Sequence, residues 1–230
     1  MIKRCNLMTR FFDLFFSFLA IVLLSPILMS VAFLLLCTGE HKILYRQKRV
    51  GINGVSFSLL KFATMLEDSP NLPGGDITSG NDPRVLPLGK FLRKTKLNEL
   101  PQLINIILGD ISLVGPRPLT PNNFSFYDKK TQEILKKVKP GLTGIGSIVF
   151  RDEESIIQNS PKKPIDFYKE DISPYKGRLE SWFIEKKSLS IYFILILLTA
   201  NSVLFPSSRL VWKIFKDLPH PSNDLFNSNK

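Results

Sequence analysis

Apolar and polar positions are distributed very unevenly along this chain. Between Asp13 and Glu40 the stretch LFFSFLAIVLLSPILMSVAFLLLCTG carries no charge. It exceeds the roughly 20 apolar residues that span a bilayer. A signal peptide fits poorly, because the apolar core is too long and no A-x-A-like cleavage site follows. Ser25-Pro26 lies near the middle, where proline removes an intrahelical hydrogen bond and bends the helix. Both flanks are basic, with Lys3, Arg4 and Arg10 before and Lys42, Arg46, Lys48 and Arg49 after. Positive flanks tend to stay cytoplasmic. A helix that enters, breaks at Ser25-Pro26 and returns keeps both flanks on one side, with the Ser25 hydroxyl occupying freed backbone groups. Residues 1–40 therefore read as a re-entrant membrane helix.

The pattern changes at residue 41. Residues 42–66 alternate like two short strands joined at Gly51-Ile52-Asn53-Gly54, and 67–84 reads as loop. LPLGKFLRKT and NELPQLINIILGD follow with helical spacing, Pro101 lying in the first turn of the second, where proline is tolerated. A Lys/Glu-rich helix is expected around 125–138, then KPGLTGIGSIVF as loop into strand. Residues 189–204 form a second apolar run, short for a span, read as a helix lying in the membrane interface or packed on the domain. The fold class expected is α/β, mostly helical and membrane-associated. Residues 41–205 would form one cytoplasmic domain, and 206–230 a loose basic tail. No internal repeat is present.

Composition narrows the function. The 230 residues carry a formal net charge of +11, which suits nucleic acid, an anionic membrane face or phosphorylated substrates. Eighteen phenylalanines and an uncharged, bilayer-length run, with no reader motif, argue against nucleic acid. The two cysteines, Cys5 and Cys37, stand at opposite ends of the first apolar run, so no disulfide framework is indicated. His41 and His220 show no zinc-ligand spacing.

The candidate phosphate binders are Lys61, Arg84, Arg93, Lys94, Lys96 and Arg117. Arginine offers a bidentate fork and lysine a point charge, although any one of them could be a solvated basic residue. Arg117 is held between Pro116 and Pro118, a costly setting for a surface residue. Glu99 and Asp110 are the carboxylates embedded among these cations. Magnesium on a diphosphate usually takes one or two carboxylates plus phosphate oxygens, whereas Glu99 could equally be a first-turn acid on the helix dipole. GLTGIGS lacks the ending of a P-loop.

The ordered blocks YRQKRVG, DPRVLPLGKFLRKTKLNELPQLINIILGDISLVGPRPL and KPGLTGIGSI resemble the bacterial sugar transferases of the monotopic polyprenol-phosphate phosphoglycosyltransferase family. The resemblance runs from about residue 3 to 205. It implies a re-entrant helix broken at the Ser-Pro, and a cytoplasmic domain on interfacial helices at the bacterial inner (cytoplasmic) membrane. It implies transfer of a sugar phosphate from a UDP-sugar to undecaprenyl phosphate with Mg²⁺, releasing UMP and starting an O-antigen, capsule, exopolysaccharide or glycoprotein glycan. The partners are then the UDP-sugar, undecaprenyl phosphate and membrane lipids; whether the protein forms a homodimer stays open.

The resemblance also marks a departure. The family pair is normally Asp-Glu, the Asp attacking the sugar diphosphate and the Glu binding Mg²⁺. Here the pair is Asn98-Glu99, and a neutral amide is a poor nucleophile. The site expected is Asn98, Glu99 and Asp110 at the catalytic centre, Glu99 as magnesium ligand, and Lys61, Arg84, Arg93 and Arg117 on phosphate. Three readings compete for Asn98. In the first the lipid phosphate attacks directly, in the second a carboxylate of Asp152, Glu153 or Glu154 replaces the nucleophile, and in the third the protein is a silent scaffold.

Overall fold

A computed structural model of the protein describes residues 2–69, 71–72, 77–78 and 82–221, with side chains from residue 7 onward. Lys3, Arg4 and Cys5 as side chains, and residues 222–230 of the expected tail, lie outside that description. The first element, α1 (Ile2–Cys37), has 36 residues with Pro26 inside it, about 54 Å of helix at 1.5 Å per residue. The helix does not end at Ser25-Pro26. Pro26 leaves the Val22 carbonyl without its usual donor, and the Ser25 hydroxyl donates to that carbonyl at 2.8 Å.

The N-terminal half of α1 is bound to the rest of the chain by polar groups. Arg10 donates to the Ile106 and Ile107 carbonyls. Asp13 is buried and accepts from Ser112 Oγ at 2.8 Å, Leu113 N–H at 2.9 Å and the Tyr192 hydroxyl at 2.8 Å. Three donors offset the desolvation that a buried carboxylate would otherwise suffer. Further along, Ala20 and Ile21 pack with Leu59, Leu103, Ile106 and Ile111. Val31 and Leu35 pack with Phe62 and Leu92. From Arg10 to Leu35, then, one stripe of α1 lies along the domain. The opposite face exposes Phe11, Phe15, Phe18, Leu23, Met29 and Phe33.

Strands β1 (Leu44–Val50) and β2 (Ser56–Phe62) form an antiparallel hairpin that sets Tyr45 opposite Lys61 and Arg49 opposite Phe57. Its turn carries positive φ at Asn53 and Gly54, residue types suited to that backbone. Helix α2 (Pro87–Lys94) starts on a proline. A 3-10 turn, Leu97–Glu99, separates it from α3 (Gln102–Leu108), so NELPQLINIILGD is a tight turn followed by a shorter helix than its pattern predicted. Then come β3 (Ser112–Val114), α4 (Pro121–Ser125) and α5 (Lys129–Leu135). The helix expected at 125–138 is the shorter α5, because Asp128 caps its start, accepting from Thr131 N–H at 2.9 Å.

KPGLTGIGSIVF, expected as loop into strand, is instead strand into helix. Strand β4 (Gly141–Thr143) comes first and pairs in parallel with β3, and helix α6 (Ile145–Val149) follows. Gly141 is required there, since a Cβ would stand 2.1 Å from the Gly115 nitrogen.

Helices α7 (Glu153–Gln158) and α8 (Pro164–Phe167) lead through a π-helical turn, Tyr168–Ile172, into α9 (Ser173–Lys186). Helix α10 (Leu189–Leu204) matches the second apolar run. One face, with Tyr192, Leu195 and Leu198, is buried in the main core beside Ile145, Ile172 and Leu179, each such side chain contributing ~1.5–3 kcal/mol. Leu197 and Leu204 remain exposed. The tail is not loose as far as it is described. Helix α11 (Leu210–Ile214) buries Val211. Phe215 and Leu218 follow it into the core, and Trp182 Nε1–H donates to Asp217 at 3.1 Å. Among the described residues the fold is thus mostly helical with two small sheets.

Candidate active site

One polar cavity of about 170 Å³ opens over the β1–β2 hairpin. Five cations line it: Arg49, Lys61, Arg93, Arg117 and Lys176. Two carboxylates, Glu153 and Glu154, face them from the start of α7. Strand alternation explains part of the set, since Tyr45, Gln47 and Arg49 share one face of β1 and Lys61 stands across from Tyr45.

Arg117 is placed by the loop after β3. Arg49 Nη1 donates to the Pro118 carbonyl at 2.8 Å, and Val50 N–H to the Leu119 carbonyl at 2.9 Å, which stitches this loop onto β1. The Arg117 guanidinium donates to Glu99 Oε1 at 3.0 Å and is about one-third exposed. Glu99 ends the 3-10 turn, whose preceding residue, Lys96, has a left-handed backbone (φ 60°). Burial alone would push the Glu99 carboxyl up, but Arg117, Lys61 and Lys96 outweigh it and hold it down at about 2. Burial, and then Arg49, lower Lys61 to about 7, with Glu99 opposing them.

The acidic cluster divides. Glu154 pairs with Arg93, and Glu153 accepts from Lys176 Nζ at 2.6 Å. Asp152 is exposed beside Arg151 and does not line the cavity. The two glutamates are therefore wall residues, not a solvated helix start.

Glu99 is itself absent from the cavity lining and reaches it only through Arg117, and three other expected site residues stand elsewhere. Arg84 is a correction: it is buried and committed to its own loop. Its Nε–H donates to Asp82 Oδ1 at 2.9 Å and its Nη2–H to Asp82 Oδ2 at 2.6 Å. It also donates to the Ser69 carbonyl at 2.9 Å and the Ile77 carbonyl at 3.0 Å. No fork is left for a phosphate. Asp110 is likewise outside the cavity lining. It accepts from Asn105 Nδ2–H at 2.9 Å, and Asn105 in turn accepts from Leu60 N–H at 2.9 Å and donates to the Ser58 carbonyl at 2.9 Å. Asp110 thus fixes the clip that holds α3 against the strand carrying Lys61. Asn98 is buried and does not line the cavity, and its Oδ1 has no hydrogen-bond partner.

Arg49 and Lys176 line the cavity although neither is among the expected site residues. Alternation in YRQKR was a usable signal for Arg49. Lys176 sits in a helix with no local cue, and only the packing of α9 brings it to Glu153. Glu180 was also missed. It is buried on α9, its Oε1 receives the Arg117 backbone N–H at 3.4 Å, its Oε2 has no partner, and burial pushes its carboxyl up to about 7.

A model of the family described as bacterial sugar transferase matches residues 4–206. An exopolysaccharide production protein, ExoY, of Sinorhizobium fredii is 37% identical over 160 residues, covering 64% of this chain and 70% of that one. A UDP-glucose:undecaprenyl-phosphate glucose-1-phosphate transferase of Klebsiella pneumoniae is 35% identical, covering 67% of this chain and 34% of its own. An undecaprenyl-phosphate galactose phosphotransferase of Salmonella typhimurium is 30% identical, covering 88% of this chain and 41% of its own. The chain thus spans less than half the length of the latter two relatives. With a match over nearly its whole length, the chain belongs to the bacterial sugar transferase family.

Proposed function

We propose that the protein transfers a sugar phosphate from a UDP-sugar to undecaprenyl phosphate, releasing UMP and initiating a surface glycan such as an exopolysaccharide, O-antigen or capsule. The observation that carries this reading is the convergence of five cations on one cavity against two carboxylates. Such a balance suits a diphosphate and a second phosphate brought together for reaction. A lipid-phosphate oxygen attacks the phosphorus that bears the sugar. The bond from that phosphorus to the bridging oxygen breaks, and UMP leaves with the electron pair. Arg117, Arg93 and Lys61 neutralise the approaching anions and the charge building on the leaving phosphate.

Glu99 is the residue that would hold a magnesium ion. Its carboxyl stays ionised far below neutral pH, and a site of one carboxylate completed by substrate phosphates is typical for this ion. Among the described residues, no group of three or more His, Cys, Asp or Glu is placed to hold a metal without the substrate. When bound, the ion would supply further neutralisation of the diphosphate.

Asn98 is neutral, and Glu153 and Glu154 are paired with Lys176 and Arg93. A carboxylate in an ion pair must give up its partner before it can attack phosphorus. Direct attack by the lipid phosphate is therefore the favoured route. A silent scaffold finds no support: the cavity keeps its cations, and Glu99 stays paired with one of them, Arg117.

The active site is proposed to face the cytoplasm at the inner membrane, with α1 entering and leaving on one side. The support is that both halves of α1 pack on the same domain. A helix crossing the bilayer straight would carry one end away from it. Cysteine labelling of Asn6→Cys and Lys42→Cys, with Cys5 and Cys37 replaced by serine, tests this: protection of both from periplasmic reagent is expected. The activity is tested by incubating the protein with Mg²⁺, undecaprenyl phosphate and a panel of UDP-sugars. UMP should be released with at least one sugar; release with none would refute the transferase reading.

A further inference from the structure

Beside the polar cavity lies a second, larger one of about 730 Å³, within the range of roughly 300–1,000 Å³ typical of ligand sites. It opens where α1 ends. Leu35, Leu86 and Leu88 form its apolar wall, and the Lys42–Glu67 ion pair stands among its polar lining. Tyr45, Ala63 and Met65 line both cavities. The partition between cationic and apolar space is thus one residue layer thick. Met65 marks the crossing point, since Arg93 Nη1 lies 3.7 Å from its sulfur.

We infer that this apolar cavity receives the phosphate-proximal isoprene units of the polyprenyl acceptor, an inference that rests on the transferase reading above. Three observations converge on that occupant. The cavity is apolar enough for hydrocarbon, and only one residue layer separates it from the cations that would hold the phosphate. It also adjoins the end of the helix whose outer face, at Phe33, Leu34 and Leu36, is exposed and apolar. A lipid with its phosphate near Arg93 could pass over Met65 and Ala63 into the cavity and leave along α1. A methyl-branched chain with regular double bonds fits an irregular cavity floored by an aromatic ring and a thioether. Selectivity for polyprenyl phosphate over ordinary phospholipid would then arise here, not at the phosphate, which both lipids share.

The test uses the full chain in nanodiscs with a polyprenyl phosphate bearing a diazirine on its first isoprene unit. Label should map to the peptides carrying Leu86, Leu88 and Thr38. Unlabelled undecaprenyl phosphate should suppress it, and equal phosphatidylglycerol should not. Thr38→Trp, at an exposed wall position, should raise KM for undecaprenyl phosphate about tenfold while KM for the UDP-sugar stays unchanged, which also shows that the variant is folded. Label confined to the outer face of α1 at Phe11, Phe15 and Phe18 would overturn the inference, as would equal suppression by phosphatidylglycerol or an unchanged lipid KM. Those results with UMP release intact would leave the transferase reading standing. Loss of UMP release from the unaltered protein would refute that reading instead.

Discussion

Arg84 and Arg117 begin alike and end differently. Each follows a proline in a loop of the same basic block, and each was expected to grip phosphate. Arg84 is 3% exposed, with Asp82 and two loop carbonyls taking its donors. Arg117 is one-third exposed, pairs with Glu99, and borders a cavity. A guanidinium has five donors to place. One that spends them on its own loop holds structure; one that keeps some for a cavity is equipped for a ligand.

The contrast is broken most strongly by replacing Arg117. Arg117→Lys keeps the charge but loses the fork, and kcat/KM should fall by roughly 10²–10³ with little change in thermal stability. Glu99→Gln should act similarly and remove the response to added magnesium. Arg84→Ala should do the opposite. Removing one member of a buried pair leaves Asp82 uncompensated at a cost of about 3–5 kcal/mol, read as an unfolding temperature lower by roughly 10 °C. The molecules that remain folded should keep their kcat. If Arg84→Ala abolishes turnover at unchanged stability, the division between the two arginines fails.

A smaller effect concerns pH. Lys61 titrates near 7 in the free protein, so it loses its charge as pH rises through that value. Since kcat/KM reports ionisations of the free enzyme, it should decline on the alkaline side of about 7. Lys61→Arg should move that limb out of reach. Glu180 gives the smallest effect, and on stability. Its folded pKa is raised from 4.5 to about 7, so the associated stability is complete below the unfolded value and is lost as pH rises through about 7. Glu180→Gln should flatten that slope in thermal unfolding measured from pH 4 to 8.

Hydrophobic pattern alone revealed α1, the β1–β2 hairpin, α2 and α10, because each has a long, one-sided or uninterrupted run. It misplaced β4 and α6, since whether GLT pairs as a strand is decided by close approach to Gly115, far away in the chain. It also missed the packing of Val211, Phe215 and Leu218, whose apolar positions are too sparse to stand out. Of the expected site residues, Glu99, Arg93 and Arg117 stand out as charge in one ordered block, and Lys61 as a lone cation in β2. Arg84 and Asp110 belong to the same block, yet Asp82, Ser69, Ile77 and Asn105 take up their hydrogen bonds, which charge pattern does not reveal. Lys176 had no local signal at all. Charge patterns locate a basic region; donor satisfaction decides which member of it is available.

The central claim is that the sugar phosphate passes to the lipid without stopping on the protein. Intact-protein mass measured after incubation with UDP-sugar and Mg²⁺, first without and then with undecaprenyl phosphate, tests it most directly. The unmodified mass should persist throughout, with UMP appearing only after the lipid is added. A phosphosugar adduct formed before lipid addition and mapped to Glu153 or Glu154 would contradict direct transfer.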